Sequence, residues 1–368
     1  MQERKIENAK IKMKYFSYLK DAEGLSPKTI SIKERIITNF EKSEGLASFK
    51  NFSSDVAIKY KQNMFSKKPA ISLQTISYQL NTLQQFFKWL ILQPGYKHNR
   101  LSDVKYFNIT RGDRNAINTS DKLKRTPEFE HVLNLLSSIP NTSELNKRDR
   151  AIIIFLLLSG IRVDSLIRIP IGAYDRNTHI VTLNPLGGVK TKFSKVLRVQ
   201  LLPFKSELLH EFDAYVDFLV NEKKYDLNNP LFPATKVVSK IENNRNCFEA
   251  NTLSKEFWKG TNSVRDILKK HCKAAGLEYF SPHSYRRLHM TYAERYCVGI
   301  EEYIALSQNL GHENLQTTYR SYGKLSENRK HELLSKFDFS LLPKNDNHGY
   351  NEIKEDLKII KNALIHEK

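Results

Sequence analysis

The chain has 368 residues, more than one ordinary domain holds and enough for two. Hydrophobic residues at 40% and aromatics at 11% exclude a disordered chain. A formal charge of +19 with a pI near 9.6 calls for a polyanionic partner. The excess is spread along the chain: residues 1–120 hold 21 Lys and Arg against 10 Asp and Glu, and residues 121–368 hold 38 against 30. Nucleic acid gripped from two sides is the expectation this sets. The three cysteines, Cys247, Cys272 and Cys297, have no CxxC spacing, so they read as reduced thiols and not as a disulfide frame or zinc site. There is no apolar leader and no run of membrane-spanning length, which sets a cytoplasmic, nucleoid-associated expectation with no membrane contact.

Taken in chain order, residues 1–95 read as a helical DNA-binding domain of four helices. The first places Ile6, Ala9, Met13, Phe16 and Leu19 at helical spacing and stops at Gly24. The second opens on Ser26-Pro27, a favoured helix start. A shorter third follows in "SDVAIKYKQNMF". The fourth carries Ile76, Leu80, Leu83, Phe87 and Leu90 on one face and ends before Pro94-Gly95. Residues 96–125 lose that period and gain Asn, Asp, Ser and positive charge, the expectation for a linker. A second domain, 126–340, resumes with "TPEFEHVLNLLSSI" and the strongly apolar "KRDRAIIIFLLLSG", a central core helix. "HIVTLNP" and "KVLRVQLL" read as strands of a hairpin with a basic tip, and the remainder to residue 338 as mostly helical. The fold class is therefore mainly α with a small antiparallel β-sheet, α+β, as a two-domain DNA clamp. The tail 341–368 carries Ile353, Leu357, Ile360 and Leu364 at alternating four and three, a stripe suited to docking on another protomer or to a small satellite core.

Four short segments carry residues able to do chemistry. Arg162 in "SGIRVDSL" follows a buried-looking helix, where a guanidinium needs an anion or a carboxylate such as Asp164. Lys190 lies on the basic hairpin "GGVKTKFSK"; Val189 before it breaks the phosphate-loop pattern GxxxxGK[ST]. His283 and Arg286 in "SPHSYRRLH" sit three apart at a helix start, a natural anion position. The stretch "NLGHENLQTTYRSYGK" supplies His312 with Tyr319 and Tyr322. A phenol with a pKa near ~10 is a poor nucleophile unless cations stabilise its anion and the transition state.

In this order and at these separations, "SGIRVDSL", "KTKFSKVLRVQL", "HSYR" and "LGHENLQTTYRSY" resemble the tyrosine recombinases, the phage-integrase family of DNA strand-exchange enzymes, over roughly residues 5–338. The resemblance implies a helical core-binding domain followed by a catalytic domain. It places the nucleophile nine or ten residues after the histidine of L-G-H, which selects Tyr322 over Tyr319. It further implies that Tyr322 attacks a DNA phosphodiester to give a 3′-phosphotyrosyl link and a free 5′-hydroxyl. Arg162 and Arg286 would hold the non-bridging oxygens, Lys190 would protonate the leaving oxygen, His283 would assist proton removal and His312 would bond the phosphate. Neither cofactor nor metal is implied. Partners would be double-stranded recombination sites, further copies of the chain in a tetrameric synapse, and accessory DNA-bending or directionality proteins. Ser165 departs from the family's usual glutamate, and Arg287 from a frequent histidine. A type IB topoisomerase-like activity, or a DNA-binding protein of the same fold without catalysis, are the alternative readings.

Overall fold

A computed structural model of the chain describes residues 2–46, 48–122, 126–189, 191, 195–242, 245–296 and 300–311. The chain divides into two units, Met1–Leu123 and Lys124–Lys368.

The first unit is helical. Helices α1 (Gln2–Asp21), α2 (Pro27–Ser43), α3 (Ser54–Ser66) and α4 (Leu73–Ile91) bear out the four expected elements. Ser26 and Ser72 start α2 and α4 by accepting from the backbone N–H groups of Thr29 and Thr75, each satisfying one of the orphan donors of a first turn. Phe40, Phe49, Phe52, Phe86, Phe87 and Phe107 meet in one aromatic core, with Phe52 stacked on Phe87 at 3.8 Å. In α1 the buried face differs from the expected one. Asn8, Ile11, Tyr15 and Leu19 turn inward, while Ile6 is 50% and Met13 70% exposed. The inward face wins because Asn8 satisfies itself there: its amide donates to Glu41 and its carbonyl accepts from the N–H of Phe49.

The expected linker is also corrected. Residues 101–122 contain α5 (Leu101–Val104), a short 3₁₀ turn and α6 (Arg111–Lys122). Tyr96, Val104 and Phe107 are buried in the first unit's core. Polar composition hid three apolar anchors spaced widely enough to escape a periodicity argument, and the division falls at residue 123 instead.

The second unit is built round α8 (Glu144–Ser159), every residue of which from Ala151 to Ser159 is buried. Helices α7 (Phe129–Ser137), α10 (Ser206–Asp217), α11 (Asn262–Ala274) and α12 (Pro282–Tyr296) pack on it. The start of α8 brings charge inside. Arg148 and Asp149, each 2% exposed, pair at 2.8 Å, and Asp149 accepts from His271 of α11. That bond explains His271 as a packing partner. A three-stranded antiparallel sheet, order β1 (Tyr174–Asp175), β2 (Ile180–Leu183), β3 (Leu197–Gln200), lies against the same core. Strands β2 and β3 match the hairpin read from sequence. A second, separate hairpin, β4 (Thr235–Glu242) and β5 (Arg245–Leu253), replaces part of the region expected to be helical. No described helix is long and apolar enough to cross a membrane.

Candidate active site

Helix α8 ends in a left-handed residue, Gly160 (φ 56°, ψ 19°), so the chain turns sharply and delivers Arg162 ahead of the short helix α9 (Val163–Leu166). A side chain at residue 160 would strain the backbone, and its Cβ would stand 2.6 Å from Leu310 Cδ2 and 3.2 Å from the His289 ring. Glycine is needed here for both reasons. Gly160→Ala is accordingly expected to destabilise by about 2–4 kcal/mol, from left-handed strain plus overpacking. Gly187→Ala is the control, because nothing stands within 4 Å of its added Cβ. Thermal unfolding of the two variants checks this; equal midpoints would refute it.

From α12, Arg286 enters the same region. It is 2% exposed, and its guanidinium donates to the carbonyls of Gly160 (3.1 Å) and Leu310 (2.5 Å). Leu310 follows directly on α13 (Ile300–Asn309). The arginine is thus held by carbonyls at the C-terminal ends of two helices, where aligned peptide dipoles favour a cation. This offsets the cost of withdrawing it from water.

Behind it, His289 is fully buried. Its Nε2–H donates to the carbonyl of Leu157 at 2.6 Å, while its Nδ1 meets no partner. Burial, assisted by the charge of Arg286, lowers its pKa from 6.5 to about 4 despite the opposing bond to Leu157. A neutral imidazole is therefore packed against the arginine. The folded state binds fewer protons than the unfolded chain between pH 6.5 and 4, so stability present above pH 6.5 is lost as pH falls towards 4. The full depression corresponds to about 3 kcal/mol. Unfolding midpoints from pH 7.5 to 4.5 should fall steeply for the native chain and less for His289→Phe; parallel curves would refute this assignment.

Arg162, Ser165, Lys195, Arg286, Asn309 and Gly311 line one cavity of about 200 Å³, whose remaining described lining is mostly aliphatic: Ile161, Leu183, Val196, Leu197, Val199 and Leu310. Three cations and no carboxylate stand among the described lining residues. In an apolar surround their field is screened far less than in water, so the cavity selects an anion. Asp164, the candidate partner for Arg162, is exposed and is not among the lining residues. Ser165, where the family pattern has glutamate, is buried and faces the cavity.

Of the six expected site residues, Arg162 and Arg286 are brought together in this cavity. His283, at the start of α12, is exposed and is not among the described lining residues. Lys190, His312 and Tyr322 lie outside the described residues, as does Tyr319. The chain reaches His312 directly after Gly311, which lines the cavity and whose added Cβ would stand 2.8 Å from Leu197 Cδ2. Sequence reasoning passed over Lys195. The signal was present, since "VKTKFSK" holds three lysines, but spacing gave no reason to prefer the third. Here Thr191 Oγ1 donates to the Lys195 carbonyl at 2.7 Å, and Lys195 joins the cavity wall.

The sequence pattern of the phage integrase family matches residues 128–329, more than half of the chain and all of the cavity. The chain belongs to the phage integrase family. Among its relatives, the tyrosine recombinase XerC of Leptospira interrogans is 26% identical over 311 residues, covering 83% of this chain and 86% of that one. The tyrosine recombinase XerA of Thermococcus kodakarensis is 29% identical over 189 residues, covering 51% and 54%. In fold, the chain is similar to the Tn1549 transposon integrase in complex with transposon right end DNA, with a TM-score of 0.56 at 16% identity over 89% of this chain and 98% of that one. It is equally similar to a lambda integrase dimer bound to a COC′ core site, with a TM-score of 0.56 at 12% identity over 85% and 94%.

Proposed function

We propose that this phage-integrase family member is a site-specific DNA recombinase that cleaves and rejoins DNA strands through a 3′-phosphotyrosyl intermediate. The observation that carries the reading is the placement of Arg162 and Arg286. They come from segments 124 residues apart, yet share one cavity wall with the turn that leads into His312, with no carboxylate among its described lining residues. A phosphodiester is the anion such a pair suits, because two guanidinium groups can fork onto both non-bridging oxygens and stabilise the charge that grows on them.

In this reading Tyr322 attacks phosphorus while His283 takes its proton. The bond to the 5′-oxygen breaks, and that oxygen takes a proton from Lys190 on the hairpin between β2 and β3. His312 holds a non-bridging oxygen. The phosphotyrosine keeps the free energy of the broken bond, so an incoming 5′-hydroxyl can restore a phosphodiester by the reverse steps. Both units carry a net positive charge, which supports duplex binding by each of them. Exchange of strands between two duplexes further calls for four protomers, and we assign the stripe Ile353, Leu357, Ile360 and Leu364 to contact between them. A role in a mobile element or in chromosome or plasmid resolution, a nucleoid location, and help from DNA-bending or directionality proteins complete the proposal.

The test is covalent trapping. Incubation with nicked duplexes drawn from the flanks of the chain's own gene should give a protein–DNA band that survives SDS. The nick lets the short cleaved strand diffuse away, so the intermediate cannot reverse. Tight binding to a Holliday junction without any such band would instead identify a non-catalytic binder.

A further inference from the structure

Strand β3 is the outer strand of its sheet, and its last residue, Gln200, sits opposite Ile180 of β2. The backbone groups of Gln200 point elsewhere. Its N–H donates to Asn309 Oδ1 at 2.7 Å, and its carbonyl accepts from Asn309 Nδ2 at 3.0 Å. One side-chain amide thus supplies the paired donor and acceptor that a further strand would offer. Aspartate has no donor for the carbonyl, and leucine, of similar shape, makes neither bond. Asn309 is the last residue of α13, two before Gly311 and three before His312. A second contact joins the same two elements, since a Cβ at Gly311 would stand 2.8 Å from Cδ2 of Leu197 in β3.

We infer that Asn309 is a positioning residue that fixes the strand returning from the lysine loop against the turn leading to His312. The loop joining β2 to β3 contains Lys190, Lys192 and Lys195, and β3 is its C-terminal anchor. The opposite party to the clip is the turn whose Leu310 carbonyl holds Arg286. The Asn309 amide therefore ties the strand that follows the lysine loop to the turn that holds Arg286. This rests on the proposed role of Lys190, and the experiment below separates the two.

The measurement is single-turnover cleavage of a trapping duplex in two forms, one ordinary and one with sulfur replacing the bridging 5′-oxygen. A thiolate leaves without being protonated, so the sulfur substrate removes the need for a general acid. Asn309→Leu should cleave the ordinary substrate about 10- to 100-fold more slowly, the loss expected of a misplacement near 1 Å. DNA affinity should stay near wild type, and the sulfur substrate should recover most of the lost rate. Asn309→Asp keeps one of the two bonds and should fall between. Should Asn309→Leu prove unstable, the aspartate variant carries the same comparison. Equal slowing on both substrates, or no slowing on the ordinary one, overturns the inference. Lys190→Ala run alongside reports on the underlying reading alone. Its failure to recover on sulfur, beside recovery of Asn309→Leu, would move the donor to another lysine of the loop and leave the role of Asn309 standing.

Discussion

Tyr322→Phe is expected to abolish the covalent protein–DNA complex, a loss of at least about 10⁴-fold in cleavage, as for removal of other enzyme nucleophiles. Noncovalent affinity for the same duplex should be unchanged, because only one hydroxyl is removed. Tyr319→Phe should keep the covalent band. The reasoning joins chain connectivity to chemistry. Gly311 lines the cavity that holds Arg162 and Arg286, and Tyr322 follows eleven residues later. That length is ample for the phenol to come back to a phosphate seated on the arginines, since it spans ~36 Å when fully extended. Both tyrosines pass this reach test, so the choice between them comes from the L-G-H spacing of the family. The readout is the SDS-resistant band. Its survival in Tyr322→Phe, or its loss in Tyr319→Phe alone, would assign the nucleophile to Tyr319.

Much of this arrangement was legible in the sequence because of the way its determinants are written. The run from Ala151 to Leu158 is apolar on every side, which only a helix surrounded by protein satisfies, and that stretch of α8 is buried throughout. Arg162 could be singled out because a glycine and a charged residue follow such a run directly. Other features depend on partners remote in sequence. The inward face of α1 is set by Asn8 meeting Glu41 and Phe49, which no local periodicity encodes. The packing of residues 96–107 rests on Tyr96, Val104 and Phe107 finding a core built from α2 and α4. The β4–β5 hairpin sits in a polar, lysine- and asparagine-rich stretch, where alternation is faint. At the site itself, the carbonyl cradle of Arg286 consists of backbone atoms at residues 160 and 310. Backbone groups leave no trace in side-chain spacing. The same holds for Asn309, whose partner is the backbone of Gln200.

That cradle makes Arg286 the position where a conservative change should be least tolerated. Arg286→Lys keeps the positive charge, yet an ammonium is a compact point charge with three donors and no planar fork. It cannot reach the carbonyls of Gly160 and Leu310 together and still present two parallel N–H groups to a phosphate. Arg286→Ala removes the charge as well and leaves both carbonyls buried without this donor, at about 1–3 kcal/mol for each. Cleavage should therefore fall by roughly 10³-fold or more in both variants, because loss of a single preorganised donor already costs about 10²–10³. The two should separate in stability, with alanine unfolding at the lower temperature. Arg162→Ala provides the contrast, since Arg162 is only half-buried and lies at the start of a short helix. It should lose cleavage with less loss of stability. Single-turnover rates on the trapping duplex, measured below the unfolding range of all three variants, decide the matter. If Arg286→Lys cleaved within tenfold of the native chain, charge alone would suffice and the bidentate role of this guanidinium would be wrong.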